Sequence, residues 1–278
     1  MEFIKEIIIV DDFSTDNSLD ILENYELKYP KLIRIVSNKE KGGNNARNYG
    51  FSLSSGNYIQ WLDSDDQLLP NKFEDQLAAF KQNKSVDIVY SDWRLDTYNN
   101  EGKIQQSEHK KHKAYDDFLY QLLIDNWSVP NTYLLRREIA EKLHAIKAWN
   151  PETKVLQDRE YFTMAAILGA KFIYVPGFFS IYNRWNKFSV SAANKILRYE
   201  NMYKLYCRLE EALKSSNILN RDKIFQYQKI LSTQKILLNV YGYSLSIKKE
   251  KINIWNAHWP IVNGWRTRLK FILRLLAN

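Results

Sequence analysis

Cysteine is almost missing from this chain: Cys207 is the only one in 278 residues. That excludes an internal disulfide and any cysteine-based metal cluster, and it agrees with a reducing, cytoplasmic setting. No stretch reaches the roughly 18 consecutive apolar residues of a membrane-spanning helix. The start lacks the basic-then-apolar pattern of a secretion signal. The expectation is therefore a cytoplasmic chain without a membrane span. Internal repeats and low-complexity tracts are absent as well. Acidic charge is the scarcer sign, with Asp+Glu 32 against Lys+Arg 40 and a net charge of +8. Such a surface attracts phosphates, nucleic acid or anionic membrane. The basic residues form no long stripe, however. Their densest cluster, His109 to Lys113, reads as a solvated loop, and no nucleic-acid partner is expected.

What is present is enough for a sizeable core. Hydrophobic residues make up 45% and aromatic residues 14%, which indicates a folded globular protein. The chain is organised around Tyr58 to Asp66, YIQWLDSDD. The apolar run Tyr58 to Leu62 reads as a buried strand and stops at Asp63, Asp65 and Asp66. Carboxylates this close repel one another and are costly to desolvate. A hard divalent cation such as Mg or Mn would neutralise them. The alternative is a solvated acidic turn before a helix that starts near Pro70.

Taken in order, Ile7 to Val10 is a continuous apolar run that reads as a central parallel strand tipped by Asp11 and Asp12. Turn and cap residues follow, then a helix expected to turn Leu19, Leu22 and Tyr25 inward and to close at Pro30. Leu32 to Val36 is a second strand. Lys41-Gly42-Gly43 enters a helix that carries Arg47 and ends near Gly56. A further helix from Pro70 puts Phe73, Leu77 and Phe80 on one face, and Val86 to Tyr90 is a fourth strand. This alternation indicates a doubly wound α/β domain. Glycine amides at a helix start, with an arginine beside them, can hold a diphosphate.

Asn99 to Gly102 suggests a hairpin. Asp116 to Ile124 and Arg137 to Leu143 read as helices. The loop between them carries Trp127 and Asn131, suited to a hydroxylated ligand or simply a connection. Asp158 opens another helix, where it is either a favourable cap or, in a cleft, a general base. Lys171 to Val175 and Phe178 to Tyr182 read as two strands joined at Pro176-Gly177. From about Ala192 the pattern is helical only, which sets expected regions of 1–191 and 192–278. In the tail, Trp265, Leu269, Ile272 and Leu276 share a helical face among basic residues. Residues 262–278 thus suit peripheral contact with the anionic inner face of a membrane, or packing on the helical part.

Five stretches resemble family 2 glycosyltransferases of the GT-A fold. They are IIIVDDFSTDNS (Ile7 to Ser18), GGNNARNYG (Gly42 to Gly50), GNYIQWLDSDD (Gly56 to Asp66), QDREYF (Gln157 to Phe162) and YNRWNKFSVS (Tyr182 to Ser191). The combination is specific where each alone is weak. The resemblance implies an α/β, Rossmann-like nucleotide-sugar-binding domain with a C-terminal helical appendage. It implies inverting transfer of a sugar from a nucleoside-diphosphate donor, a UDP-sugar by preference, to a hydroxyl of a glycan, lipid-linked or protein acceptor.

Position by position, Asp11 and Asp12 would meet the nucleobase. Gly42, Gly43 and Arg47 would lie along the nucleotide. Asp63, Asp65 and Asp66 match the family's acidic motif, with Asp65 and Asp66 at a Mg or Mn ion. Asp158 matches the catalytic base, and Trp127, Asn131 and Arg184 would line the substrates. Three departures stand out. A strand and helix that usually precede the first strand are expected to be missing, Gln157 replaces an acidic residue beside the base, and Asn186 stands where relatives place a metal-side His. A non-catalytic nucleotide-sugar-binding remnant and a nucleotidyltransferase of similar topology are the competing classes.

Overall fold

The computed structural model describes residues 3–126, 128–185, 195–240, 257–262, 268 and 272. Met1–Ala114, Val129–Tyr161 and Ala170–Asn186 form one compact unit, and Tyr115–Ser128, Phe162–Gly169 and Lys187–Asn278 a second.

The first unit begins with β1 (Ile7–Asp11), α1 (Ser18–Lys28), β2 (Ile33–Ser37) and α2 (Gly43–Leu53). The two strands are runs rich in β-branched residues and pair in parallel from Ile7↔Ile33 to Asp11↔Ser37. Then come β3 (Tyr58–Ile59), β4 (Gln67–Leu68), α3 (Lys72–Gln82), β5 (Ile88–Tyr98), β6 (Ile104–Lys110), β7 (Leu134–Arg136), α5 (Arg137–Ala145) and β8 (Phe172–Trp185). α4 (Phe118–Leu123) falls within this sequence but belongs to the second unit. Strands β3, β7, β5, β8 and β4 form a mixed sheet in that order, with β6 hairpinned onto β5. Only the β5–β8 pairing is parallel. Phe80, Val86, Val89 and Leu134 build a core beneath it, with Phe73 and Leu77 of α3 packed alongside.

Four expectations are corrected. β1 is not a central strand, because β2 is its one partner among the described residues and Ile7 is 36% exposed. α1 buries none of its residues fully, and Tyr25 is 51% exposed; a two-stranded sheet offers α1 little surface to cover. The apolar run Tyr58 to Leu62 forms a ladder only at Tyr58 and Ile59. At Gln60 the side-chain amide donates to the Trp61 carbonyl at 2.6 Å and the Asn131 carbonyl at 3.3 Å, so side-chain bonds replace strand pairing.

The last correction concerns β8, which is one strand across Pro176-Gly177 with its register shifted there. Asp92 holds the irregularity together. It accepts from Tyr174 Oη at 2.8 Å, His112 N at 2.7 Å and Gly177 N at 3.4 Å. Gly177 has φ of 141°, a region that favours glycine.

In the second unit, α4 is capped by Asp117, whose carboxylate accepts from Tyr120 N at 2.9 Å and Tyr227 Oη at 2.7 Å. α6 (Gln157–Ile167) begins in the first unit and ends in this one. α7 (Lys195–Lys214) and α8 (Arg221–Val240) pack together, and Leu205, Leu209 and Leu213 of α7 and Ile230 and Leu231 of α8 are fully buried. Lys235 pairs with Glu210 at 3.0 Å. Among the described residues no helix is long and apolar enough to cross a membrane. The tail 263–278 lies outside them save Arg268 and Ile272.

Candidate active site

The tip of β1 turns sharply and its two carboxylates serve different ends. Asp11 is buried and accepts from Ser14 N at 3.3 Å, closing the turn. Asp12 reaches across to the entry of α2, accepting from Asn38 Nδ2 at 2.8 Å and from Gly42 N at 2.8 Å. Gly42 has φ of 130°, a backbone conformation that favours glycine, and in it the amide turns to the carboxylate. Gly43 is the first residue of α2.

One turn along α2, Arg47 forms an ion pair with Asp63 and donates to Asn44 Oδ1 at 3.2 Å. Its guanidinium lies over the Trp149 ring, 4.6 Å from the centroid, a geometry attractive to a cation. Trp149 stacks on Tyr161 at 4.3 Å, and Trp61 meets both rings edge-on. Asn44 and Asn48 donate to the carbonyls of Asn150 and Trp149, at 2.7 and 2.8 Å. These bonds fix α2 against the segment that leads into α6. Asp158, in the first turn of α6, holds its proton more tightly than an ordinary aspartate, with a pKa raised to about 6. Burial is the main cause. A bond from the Arg159 amide and the charge of Arg47 oppose it, and the charge of Asp63 adds to it.

The acidic loop sits between these groups and the sheet. Asp66 is buried and is held at both oxygens, by Asn131 Nδ2 at 3.0 Å and Asn183 N at 3.0 Å. Burial raises its pKa to about 8; the Asn183 amide opposes the rise, and the charges of Asp65 and Asp63 reinforce it. Asp65 is raised too, first by burial and further by Asp63. Asn183 Nδ2 donates to the Asp65 carbonyl at 2.5 Å.

Tyr182 lies one residue earlier on β8. Burial raises its hydroxyl's pKa, and the charges of Asp66, Asp158 and Asp65 all act in the same direction. Charges from two distant parts of the chain, the acidic loop and the start of α6, thus bear on one phenol. Arg184, two positions further on the same strand, is exposed and acts on it with the opposite sign.

The structure thus brings together Arg47, Asp63, Asp65, Asp66 and Asp158, with Asp12, Gly42 and Gly43 at the other end of the Arg47 helix turn. Asn131 is fully buried and faces Asp66. Trp127 and Asn186 lie outside the described residues. Tyr182 and Trp149 were not singled out by sequence. For Tyr182 the available signal was the alternation of a strand that also carries Arg184; Trp149 gave none.

As a cation site the loop offers oxygens alone, the donors hard divalent ions take. Asn131 Oδ1 and Asn183 Oδ1 are buried without hydrogen-bond partners, and Asp65 and Asp63 place further negative charge near the buried Asp66. Among the described residues no three His, Cys, Asp or Glu side chains form a ready metal cage. The fit is that of an open, shared site.

The sequence profile of the family described as "Glycosyl transferase family 2" matches residues 2–144, half of the chain. The chain belongs to glycosyl transferase family 2. The family match contains Asp12, Arg47 and the acidic loop, while Asp158 and Tyr182 lie beyond it.

An uncharacterized glycosyltransferase of Nostoc is 32% identical over 146 residues, covering 51% of this chain and 44% of that protein. Chondroitin synthase of Escherichia coli is 41% identical over 86 residues, 31% of this chain and 12% of the synthase. The chain spans less than half the length of these curated relatives. Among solved structures, S. aureus TarS in complex with UDP-GlcNAc is similar in fold at a TM-score of 0.60. That likeness carries 16% identity and covers 97% of this chain and 70% of the TarS 1–349 chain in that structure. The α/β architecture with a helical C-terminal part is accordingly that of a GT-A-like glycosyltransferase.

Proposed function

We propose that this family 2 chain transfers a glycosyl group, with inversion, from a nucleoside-diphosphate sugar to a hydroxyl of a glycan, lipid-linked or protein acceptor. The observation that carries the reading is the Arg47–Asp63 ion pair, whose two charges bear on Asp158 while Asp63 also bears on Asp65 and Asp66. A UDP-sugar is the favoured donor, supported by TarS being a UDP-GlcNAc complex.

In this reading Asp11 and Asp12 set the nucleobase end of the cleft. Asp12 does so by fixing the Gly42-Gly43 loop, whose amides lie at the start of α2, where anions are favoured. Arg47 contributes positive charge toward the diphosphate. Asp158 accepts the proton of the acceptor hydroxyl as that oxygen bonds the anomeric carbon, while the bond from that carbon to the diphosphate oxygen breaks. A carboxylate with a pKa near 6 is ionised at neutral pH, yet more basic than an ordinary aspartate. A Mg or Mn ion held by Asp65 and Asp66 would offset the charge left on the diphosphate. Asp63 keeps Arg47 in place, and Tyr182 and Arg184 border the space between base and acidic loop.

The test is calorimetry with UDP in the presence of Mn, followed by a transfer assay with UDP-sugars. Binding with turnover is expected. Binding without turnover under any acceptor supports a non-catalytic nucleotide-sugar-binding module, and no binding at all refutes both.

A further inference from the structure

Lys72, in the first turn of α3, is 1% exposed. Its ammonium donates to Gln76 Oε1 at 2.7 Å and to the Thr132 carbonyl at 3.1 Å. Gln76, fully buried, donates through Nε2 to the same carbonyl at 2.9 Å and to Ser91 Oγ at 3.3 Å. None of these partners is acidic. Burying an ammonium without a counter-charge opposes folding, and burial indeed holds this lysine's pKa well below the usual range. An apolar side chain of similar length would fill the space at less cost. The group therefore needs a reason other than stability.

The Thr132 carbonyl supplies one. It belongs to the last residue of the 3-10 turn Pro130–Thr132 and is gripped from α3 by two donors at once. The middle residue of that turn is Asn131. Its Nδ2 donates to Asp66 Oδ2 at 3.0 Å and to the Ile181 carbonyl at 3.1 Å. Its own carbonyl accepts from Gln60 at 3.3 Å. Three bonded links thus run from the Lys72 ammonium to the Asp66 carboxylate.

We propose that Lys72 and Gln76 are positioning residues for Asp66: they lock the Pro130–Thr132 turn so that Asn131 aims one oxygen of that carboxylate. The lysine is kept for placement of the acidic loop at the expense of stability. The consequence for donor binding rests on the function proposed above; the placement of Asp66 does not.

Lys72→Met, Lys72→Gln and Gln76→Leu separate the two. Lys72→Met removes the donor, keeps the volume and relieves the buried charge, so its melting temperature equals or exceeds that of the parent chain. The amide of Asn183, bonded to Asp66 Oδ1, exchanges with solvent about 10-fold faster in Lys72→Met, while that of Val89 in the core of β5 is unchanged. The KM for a UDP-sugar rises by about 10-fold with kcat little altered. Gln76→Leu gives the same pattern. Lys72→Gln, which still donates, restores Asn183 protection and KM.

Unchanged Asn183 exchange in Lys72→Met overturns the proposal. So does a Lys72→Met chain that melts earlier or fails to fold, since an ordinary structural lysine behaves that way. Faster Asn183 exchange with unaltered UDP-sugar KM leaves the clamp standing and refutes Asp66 as part of the donor site.

Discussion

Replacing Asp66 by Asn should exchange one pH dependence for another outcome altogether. The carboxyl is 8% exposed and its pKa rises from 3.8 in a free chain to about 8 in the fold. Between those values the folded chain holds a proton that the unfolded chain has released. Stability contributed at low pH is therefore lost as pH climbs through this window, at about 1.4 kcal/mol per pH unit. Asparagine cannot ionise, but it leaves either Asn131 Nδ2 or the Asn183 amide short of an acceptor, costing about 1–2 kcal/mol. Asp66→Asn should thus match the parent to within ~1 kcal/mol at pH 5 and be ~4 kcal/mol more stable at pH 8, where the parent bears nearly the whole penalty of its ionised carboxylate. Urea unfolding at several pH values, with divalent cations chelated, measures it. A difference that stays constant with pH, or swings the other way, refutes the account of Asp66 as a carboxyl whose proton is held by burial. The same variant should lose cation-dependent UDP binding.

Removing Arg47 as Arg47→Ala takes away the positive charge that restrains Asp158 and frees Asp63. The acidic limb of the pH–rate profile should move to higher pH, and turnover should fall by about 10- to 100-fold; initial rates across pH 5–8 read both. In the parent chain that limb should rise through about pH 6 and level off, because Asp158 accepts a proton only when ionised. A flat profile there would exclude Asp158 as the titrating group. Gly177→Ala should cost at least ~2 kcal/mol in urea unfolding, since φ is 141° and a Cβ would overlap the Phe179 ring.

Much of this site was legible because its signals are local. Apolar runs that end in carboxylates gave the tip of β1 and the acidic loop. A glycine pair before an amphipathic segment gave α2 and Arg47. What escaped depends on residues far apart in the chain. β8 reads as two strands because Pro176-Gly177 looks like a turn; Asp92, more than eighty residues earlier, bonds Gly177 and keeps the strand continuous. The run Tyr58 to Leu62 looks like a strand because apolar periodicity carries no information about Gln60, whose amide bonds the backbone instead. Trp149 supports Arg47 through the face of its ring, and nothing in its neighbours' identity announces that. A lysine at the start of a helix likewise reads as solvated, and only the packing of the Pro130–Thr132 turn buries Lys72. Tyr182 lay inside a stretch already noted, but strand alternation alone does not say which face meets the acidic residues.

The central claim is that Asp158 takes the acceptor's proton in a cleft it shares with the acidic loop. Asp158→Asn keeps the size of the side chain and removes its basicity. Sugar transfer from a UDP-sugar should drop by at least ~100-fold, with UDP affinity preserved in calorimetry. Transfer at the parent rate by a correctly folded Asp158→Asn chain would contradict the claim.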